Sequence, residues 1–178
     1  MRELRFRDEA VILGSDADEL PPAGAGQLLV PWPNRIDGGR YSFGGAEFQL
    51  GLTEPGLGNA IHGLTRWTAW TLVSHDAGSV LLRSAAHGYQ GYPFGLEIEA
   101  GYRLHPDSGL RVDISARNRG SRAAPYGTGS HPYLTLRTAS VDDCELSVSA
   151  ASWLPVDDRG IPSGAPTTVE GTPYDFRR

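Results

Sequence analysis

The chain has 178 residues, 39% of them hydrophobic and 21% charged, with a formal net charge of −5 and an isoelectric point near 5.5. That length supports one domain, residues 1–178, with a real hydrophobic core. No window approaches the roughly eighteen consecutive apolar residues of a membrane-spanning segment, and the acidic balance argues against a nucleic-acid surface. All 16 basic residues are arginine, a bias over the whole chain that singles out no site. The single Cys144 excludes an internal disulfide and a multi-cysteine metal site, and it reads as a small buried hydrophobe. Met1-Arg2-Glu3-Leu4-Arg5-Phe6-Arg7 is followed by no apolar run of signal-peptide length, so a cytoplasmic location is expected.

Taken in chain order, residues 1–25 are weakly patterned. Gly24-Ala25-Gly26 lacks the strand–turn–helix context of a phosphate loop. In Pro31-Trp32-Pro33-Asn34-Arg35-Ile36 two prolines stiffen the chain, and Trp32 is placed to pack. Asn34 and Arg35 then offer hydrogen-bond donors from a rigid element, which suits a polyhydroxy ligand. The same segment also reads as a surface turn with a structural salt bridge.

Strand patterning follows. Residues 70–73, 79–84, 96–104, 110–117 and 144–150 are short β-like runs. In 96–104 and 110–116 apolar residues fall at every second position, the period of a half-buried strand. His105-Pro106-Asp107-Ser108-Gly109 is a turn sequence between two of them, and Asp76-Ala77-Gly78 is another. Antiparallel hairpins at this spacing predict an all-β sandwich. Residues 157–166 read as a loop, with strand-like Thr167-Thr168-Val169 after it.

Two histidine segments stand out, since histidine is the side chain that titrates near neutral pH. His62 lies in Gly58-Asn59-Ala60-Ile61-His62-Gly63-Leu64, where it reads either as a turn cap or as a site residue. His131 lies in Gly127-Thr128-Gly129-Ser130-His131-Pro132-Tyr133-Leu134. Pro132 biases His131 toward extended backbone, and Gly127 and Gly129 permit close approach. A histidine so held beside Tyr133 suits a small-molecule pocket, or equally a strand end packed on a tyrosine. His75, His87 and His105 read as surface residues. The histidine spacing does not form a metal site, and no Gly-x-Ser-x-Gly elbow marks a hydrolase.

Four segments, Pro31–Ile36, Asn59–Leu64, Gly91-Tyr92-Pro93-Phe94 and Gly129–Leu134, occur in an order that resembles the aldose 1-epimerase (galactose mutarotase) family. Asp157–Pro162 and Pro173–Arg177 resemble it too, so the likeness runs from about Gly26 to Arg178. The resemblance implies a galactose mutarotase-like β-supersandwich and interconversion of the α and β anomers of a free aldose, without metal or organic cofactor. His131 corresponds to the family's general acid at the ring oxygen, and His62 to its second active-site histidine. Asn34 and Arg35 correspond to its Asn-Arg-Ile segment, whose arginine contacts sugar hydroxyls, and Tyr133 is grouped with them as substrate-binding. The family's base is a glutamate on a later strand, accompanied by a sugar-binding aspartate.

No residue of this chain maps onto either acid, and no motif promotes Glu54, Glu97, Glu99 or Glu170 to that role. The expectation is therefore a family member incomplete at its C-terminus and resembling the N-terminal half. Weak or no activity and a homodimer through exposed sheet edges are expected with it. The alternatives are a non-catalytic carbohydrate-binding module using Trp67 and Trp70 with Arg35, and a hexose-6-phosphate 1-epimerase, which needs an added arginine cluster at the phosphate.

Overall fold

The computed structural model describes residues 1–16 and 18–177; Ala17, and Arg178 at the end of the family-like span, lie outside the described residues. Fourteen strands and three single-turn 3-10 segments account for its regular structure, and no α-helix occurs among the described residues. In chain order the strands are β1 (Leu4–Phe6), β2 (Glu9–Ile12), β3 (Leu28–Leu29), β4 (Arg35–Asp37), β5 (Arg40–Phe43), β6 (Ala46–Gln49), β7 (Asn59–Ile61), β8 (Thr71–His75), β9 (Ser79–Ala86), β10 (Leu96–His105), β11 (Gly109–Asn118), β12 (Gly129–Ser130), β13 (Ser152–Trp153) and β14 (Thr167–Thr168). The all-β expectation is borne out. Among the described residues no helix is long and apolar enough to cross a membrane.

The chain forms two compact units: Leu28–Gly129, and Met1–Gln27 together with the residues from Ser130 onward. In the Leu28–Gly129 unit, β8, β9, β10 and β11 make a four-stranded antiparallel sheet in the order β11-β10-β9-β8. Its two hairpins close at the turns the sequence marks. Asp76 accepts from the backbone of Gly78 and Ser79 at 2.9 and 2.8 Å, tying the β8–β9 turn. The alternation in β10 translates directly into burial: Leu96, Ile98 and Ala100 are buried, while Glu97 and Glu99 face the other side. On that side Glu97 pairs with Arg119 at 2.7 Å and Glu99 with Arg83 at 2.6 Å.

The core gathers Val30, Leu50, Ala60, Ala86, Tyr92, Phe94, Leu96 and Ile98. Tyr92 and Phe94 come from the Gly91–Phe94 motif and pack at a ring-centroid distance of 5.0 Å. The buried Tyr92 hydroxyl donates to the Pro125 carbonyl at 2.6 Å, which satisfies its polar end. The β5–β6 hairpin adds Phe43 and Phe48, which meet Phe94 at 5.8 and 5.5 Å. Its turn is Gly44-Gly45, both at positive φ, the conformation a two-residue hairpin loop requires.

In the other unit β1 and β2 form a hairpin through Arg7 and Asp8, both at positive φ. The weak patterning of residues 1–25 concealed it, because neither turn residue is the glycine that signals such a loop. β13 pairs with β14, so Thr167-Thr168 is a strand as expected.

Three expectations are corrected. Residues 144–150 form no strand: Val148 donates to the Phe176 carbonyl at 2.6 Å, and no ladder develops among the described residues. A period of two sustains a strand only beside a partner. β11 is a strand, yet Val112 stays 37% exposed, because β11 is an outer strand of the sheet. Cys144 is half-buried, with its sulfur 3.2 Å from the Thr138 hydroxyl, and does not join the core.

Ile98→Ala should cost roughly 2–5 kcal/mol by opening a cavity on the buried face of β10. Chemical denaturation monitored by tryptophan fluorescence checks this.

Candidate active site

The first cluster is built where the β4–β7 ladder ends. Arg35 is paired with Ile61, Ile36 with Ala60 and Asp37 with Asn59. Asn34 precedes the first pair and His62 follows it, so they meet at the ladder's end. Both are at positive φ, 57° and 61°. Their contact is reciprocal: His62 N–H donates to the Asn34 carbonyl at 2.9 Å, and Asn34 N–H donates to His62 Nδ1 at 3.1 Å. An imidazole nitrogen that accepts carries no proton, so His62 is held as the tautomer with its proton on Nε2. Gly63 follows at φ 72°, and a Cβ there would collide with the backbone of Val30. The glycine after the histidine is therefore required by a close crossing of two chain segments.

Arg35 is gripped from both sides. Its Nε and Nη2 donate to the two carboxylate oxygens of Glu54 at 2.7 and 2.8 Å, and its Nη1 donates to Asn34 Oδ1 at 3.1 Å. Glu54 also accepts from Asn59 Nδ2 at 3.2 Å, and its backbone pairs with Asn59 in both directions. Asn59 is fully buried, whereas the Arg35 and Glu54 side chains are 24% and 22% exposed. The hydrogen bond from Arg35 is the main cause holding the Glu54 carboxyl below the usual carboxylate range, and its counterpart raises the Arg35 guanidinium. The salt-bridge reading of Pro31–Ile36 thus holds. Its partner Glu54, nineteen residues downstream in sequence, is the residue that motif reasoning passed over. The ladder registers β4 against β7, and nothing in the local sequence announces the match.

His131 and Tyr133 belong to the other unit. His131 N–H donates to the Gln27 carbonyl at 3.1 Å, and its carbonyl accepts from Gly26 N–H at 2.8 Å. The Tyr133 carbonyl accepts from Leu13 at 2.8 Å, and Thr135 donates to Val11 at 3.0 Å. The segment is thus strapped in extended form beside β2, as Pro132 favours. The half-buried His131 ring stacks on Tyr133 at 5.2 Å with an interplanar angle of 15°.

The remaining expected residues stay peripheral. His75, His87 and His105 are exposed. Trp70 packs on the core, whereas Trp67 is 60% exposed with Arg66 5.2 Å above its ring. Trp67, Arg83, Ser84, Tyr89 and Glu97 line an open groove of about 490 Å³. A separate apolar cavity of about 300 Å³ is lined by Trp32, Ile36, Tyr41, Tyr92 and Tyr126. The buried Trp32 indole N–H has no acceptor among the described residues.

The depressed Glu54 carboxyl has a consequence for stability. A carboxyl lowered in the folded state stabilises above its unfolded value and loses that contribution as pH falls through its folded value. Urea unfolding between about pH 6 and pH 3 should show an acid-side loss that is smaller in Glu54→Gln. An identical acid limb in the two proteins would contradict the assignment.

The aldose 1-epimerase family model matches residues 2–178. The chain is 39% identical over 163 residues to the uncharacterized protein YihR of Escherichia coli K12, covering 92% of this chain and 53% of that protein. It is 34% identical to mouse galactose mutarotase over 82% of this chain and 43% of the relative. Among solved structures, an aldose epimerase homologue from C. elegans superimposes with a TM-score of 0.83 at 23% identity, over 96% of this chain and 54% of the other. Galactose 1-epimerase from Lactobacillus acidophilus gives 0.77 at 22%, over 100% and 55%. The fold is galactose mutarotase-like, and the chain spans about half the length of the relatives it matches. The chain belongs to the aldose 1-epimerase family.

Proposed function

We propose that this chain carries sugar-binding and acid residues of a mutarotase that interconverts the anomers of a free aldose of the galactose or glucose type. The observation that carries the reading is the Asn34–Arg35–His62 cluster. It presents oriented N–H donors from a rigid ladder end, the group that recognises sugar hydroxyls. His62, protonated on Nε2, serves as a hydroxyl donor. Arg35 has five N–H groups, three of which go to Glu54 and Asn34; the other two are the donors we assign to a ligand's hydroxyls.

His131 is assigned as the general acid, with Tyr133 stacked on its ring. The chemistry requires a proton given to the ring oxygen and another taken from the anomeric hydroxyl. The C1–ring-oxygen bond then breaks to the open aldehyde. Rotation about C1–C2 presents the other carbonyl face, and reclosure returns both protons. Glu54 does not serve as the base, since its carboxylate is committed to Arg35. With no base assigned, we expect weak or no turnover from these residues alone. Exposed edges at β8 and β11 favour a homodimer, and the cytoplasm is the proposed location.

A second reading, a binding module without turnover, is favoured by the exposed Trp67 beside its groove, since such a ring can stack on a sugar face.

Polarimetry on freshly dissolved α-galactose should show little or no acceleration by the 178-residue chain, while saturation-transfer NMR detects galactose binding that His62→Ala and Arg35→Ala abolish. Family-like turnover would refute the missing base. Binding that instead requires Trp67 would favour the second reading. Light scattering should return a dimer mass, and a clean monomer would count against edge pairing.

A further inference from the structure

We propose that Glu54 is a positioning residue that holds Arg35 as an oriented, charge-compensated donor, and that this makes the site selective for an uncharged aldose over an anionic sugar. The inference rests on the sugar-binding reading of the Asn34–Arg35–His62 cluster and adds to it a positioning residue that would turn anionic sugars away.

The geometry is that of a clamp. Two parallel N–H···O bonds at 2.7 and 2.8 Å fix the guanidinium plane, and the bond to Asn34 Oδ1 at 3.1 Å fixes its third edge. Glu54 is itself anchored to Asn59, by the side chain at 3.2 Å and by the backbone pair, and Asn59 is fully buried. A continuous chain of contacts therefore runs from buried Asn59 through Glu54 and Arg35 to Asn34, whose backbone meets His62. Arginine is the residue of choice for binding phosphate through its two-pronged edge. Here that edge is occupied by a carboxylate of this chain. A phosphate arriving at Arg35 would have to displace Glu54 or accept its repulsion. A neutral hydroxyl needs only the N–H groups that Glu54 leaves. A further cation, Arg66, lies within electrostatic reach of Glu54, and its guanidinium is over the Trp67 ring.

The test is NMR titration of the 178-residue chain with galactose and with glucose 6-phosphate, in wild type, Glu54→Gln and Glu54→Asp, following the Arg35 Nε–H resonance in parallel. In wild type, galactose should bind and the phosphate should bind more weakly. Glu54→Gln, with a dispersed folded spectrum, should weaken galactose about tenfold and tighten the phosphate several-fold, because Arg35 then carries an uncompensated charge. Glu54→Asp, which keeps the charge, should restore the galactose preference in part, and it carries the test if Glu54→Gln does not fold. The Arg35 Nε–H should exchange slowly in wild type and quickly in Glu54→Gln. Equal weakening of both ligands, or an unchanged preference, overturns the inference and leaves the sugar site standing. An unmoved Arg35 resonance overturns it whatever binds. A wild-type chain that binds neither ligand overturns the sugar-binding reading and this inference with it.

Discussion

Antiparallel pairing of β4 with β7 is the constraint on which the candidate site depends. It sets two segments, separated by more than twenty residues of chain, in a single register. Once Arg35 is opposite Ile61, Asn34 and His62 have no choice but to meet. Their backbone turns there into the left-handed region, which is costly for residues other than glycine and persists only when the surroundings hold it. Here the holding is visible in the reciprocal hydrogen bonds and in the tight crossing of Gly63 over Val30.

The same ladder explains why a charged pair tolerates partial burial. An arginine withdrawn from water needs a partner of matching geometry, and a carboxylate that accepts two parallel bonds supplies it. Glu54 meets that need and is in turn held by Asn59, so the cost of desolvation is offset by hydrogen bonds on each member. Rigidity at this end of the sheet thus comes from electrostatics. In the β8–β11 sheet and its aromatic layer it comes from apolar burial around Tyr92, Phe94 and Ile98.

Legibility in the sequence followed the range of the interaction. β10 and its turn to β11 were readable because alternation and a five-residue turn are local signals, and burial alternates along β10 as they imply. The Gly44-Gly45 hairpin carries an equally local signal, although no strand was read from residues 40–49. The β1–β2 hairpin did not, since Arg7 and Asp8 adopt its turn without glycine. Residues 144–150 show the converse: the alternation is there, yet no neighbouring strand among the described residues completes it. The motif residues Asn34, Arg35, His62 and His131 stood out by their chemistry and by their order along the chain. Glu54 did not, because its role exists only through contact with Arg35.

What the amino-acid sequence determined by itself was the strand-rich character, the turns of the β8–β9 and β10–β11 hairpins, the family likeness and the identity of the residues able to donate or move a proton. These depend on side-chain chemistry, two-residue periodicity and turn propensity, all of which act over a few residues. Only the tertiary structure decided which tautomer His62 adopts, which carboxylate neutralises Arg35, that β11 is an outer strand and that Trp67 stays exposed while Trp70 packs inward. Each of those depends on which distant segment lies alongside, and that is settled by strand register and core packing summed over the fold rather than by local sequence.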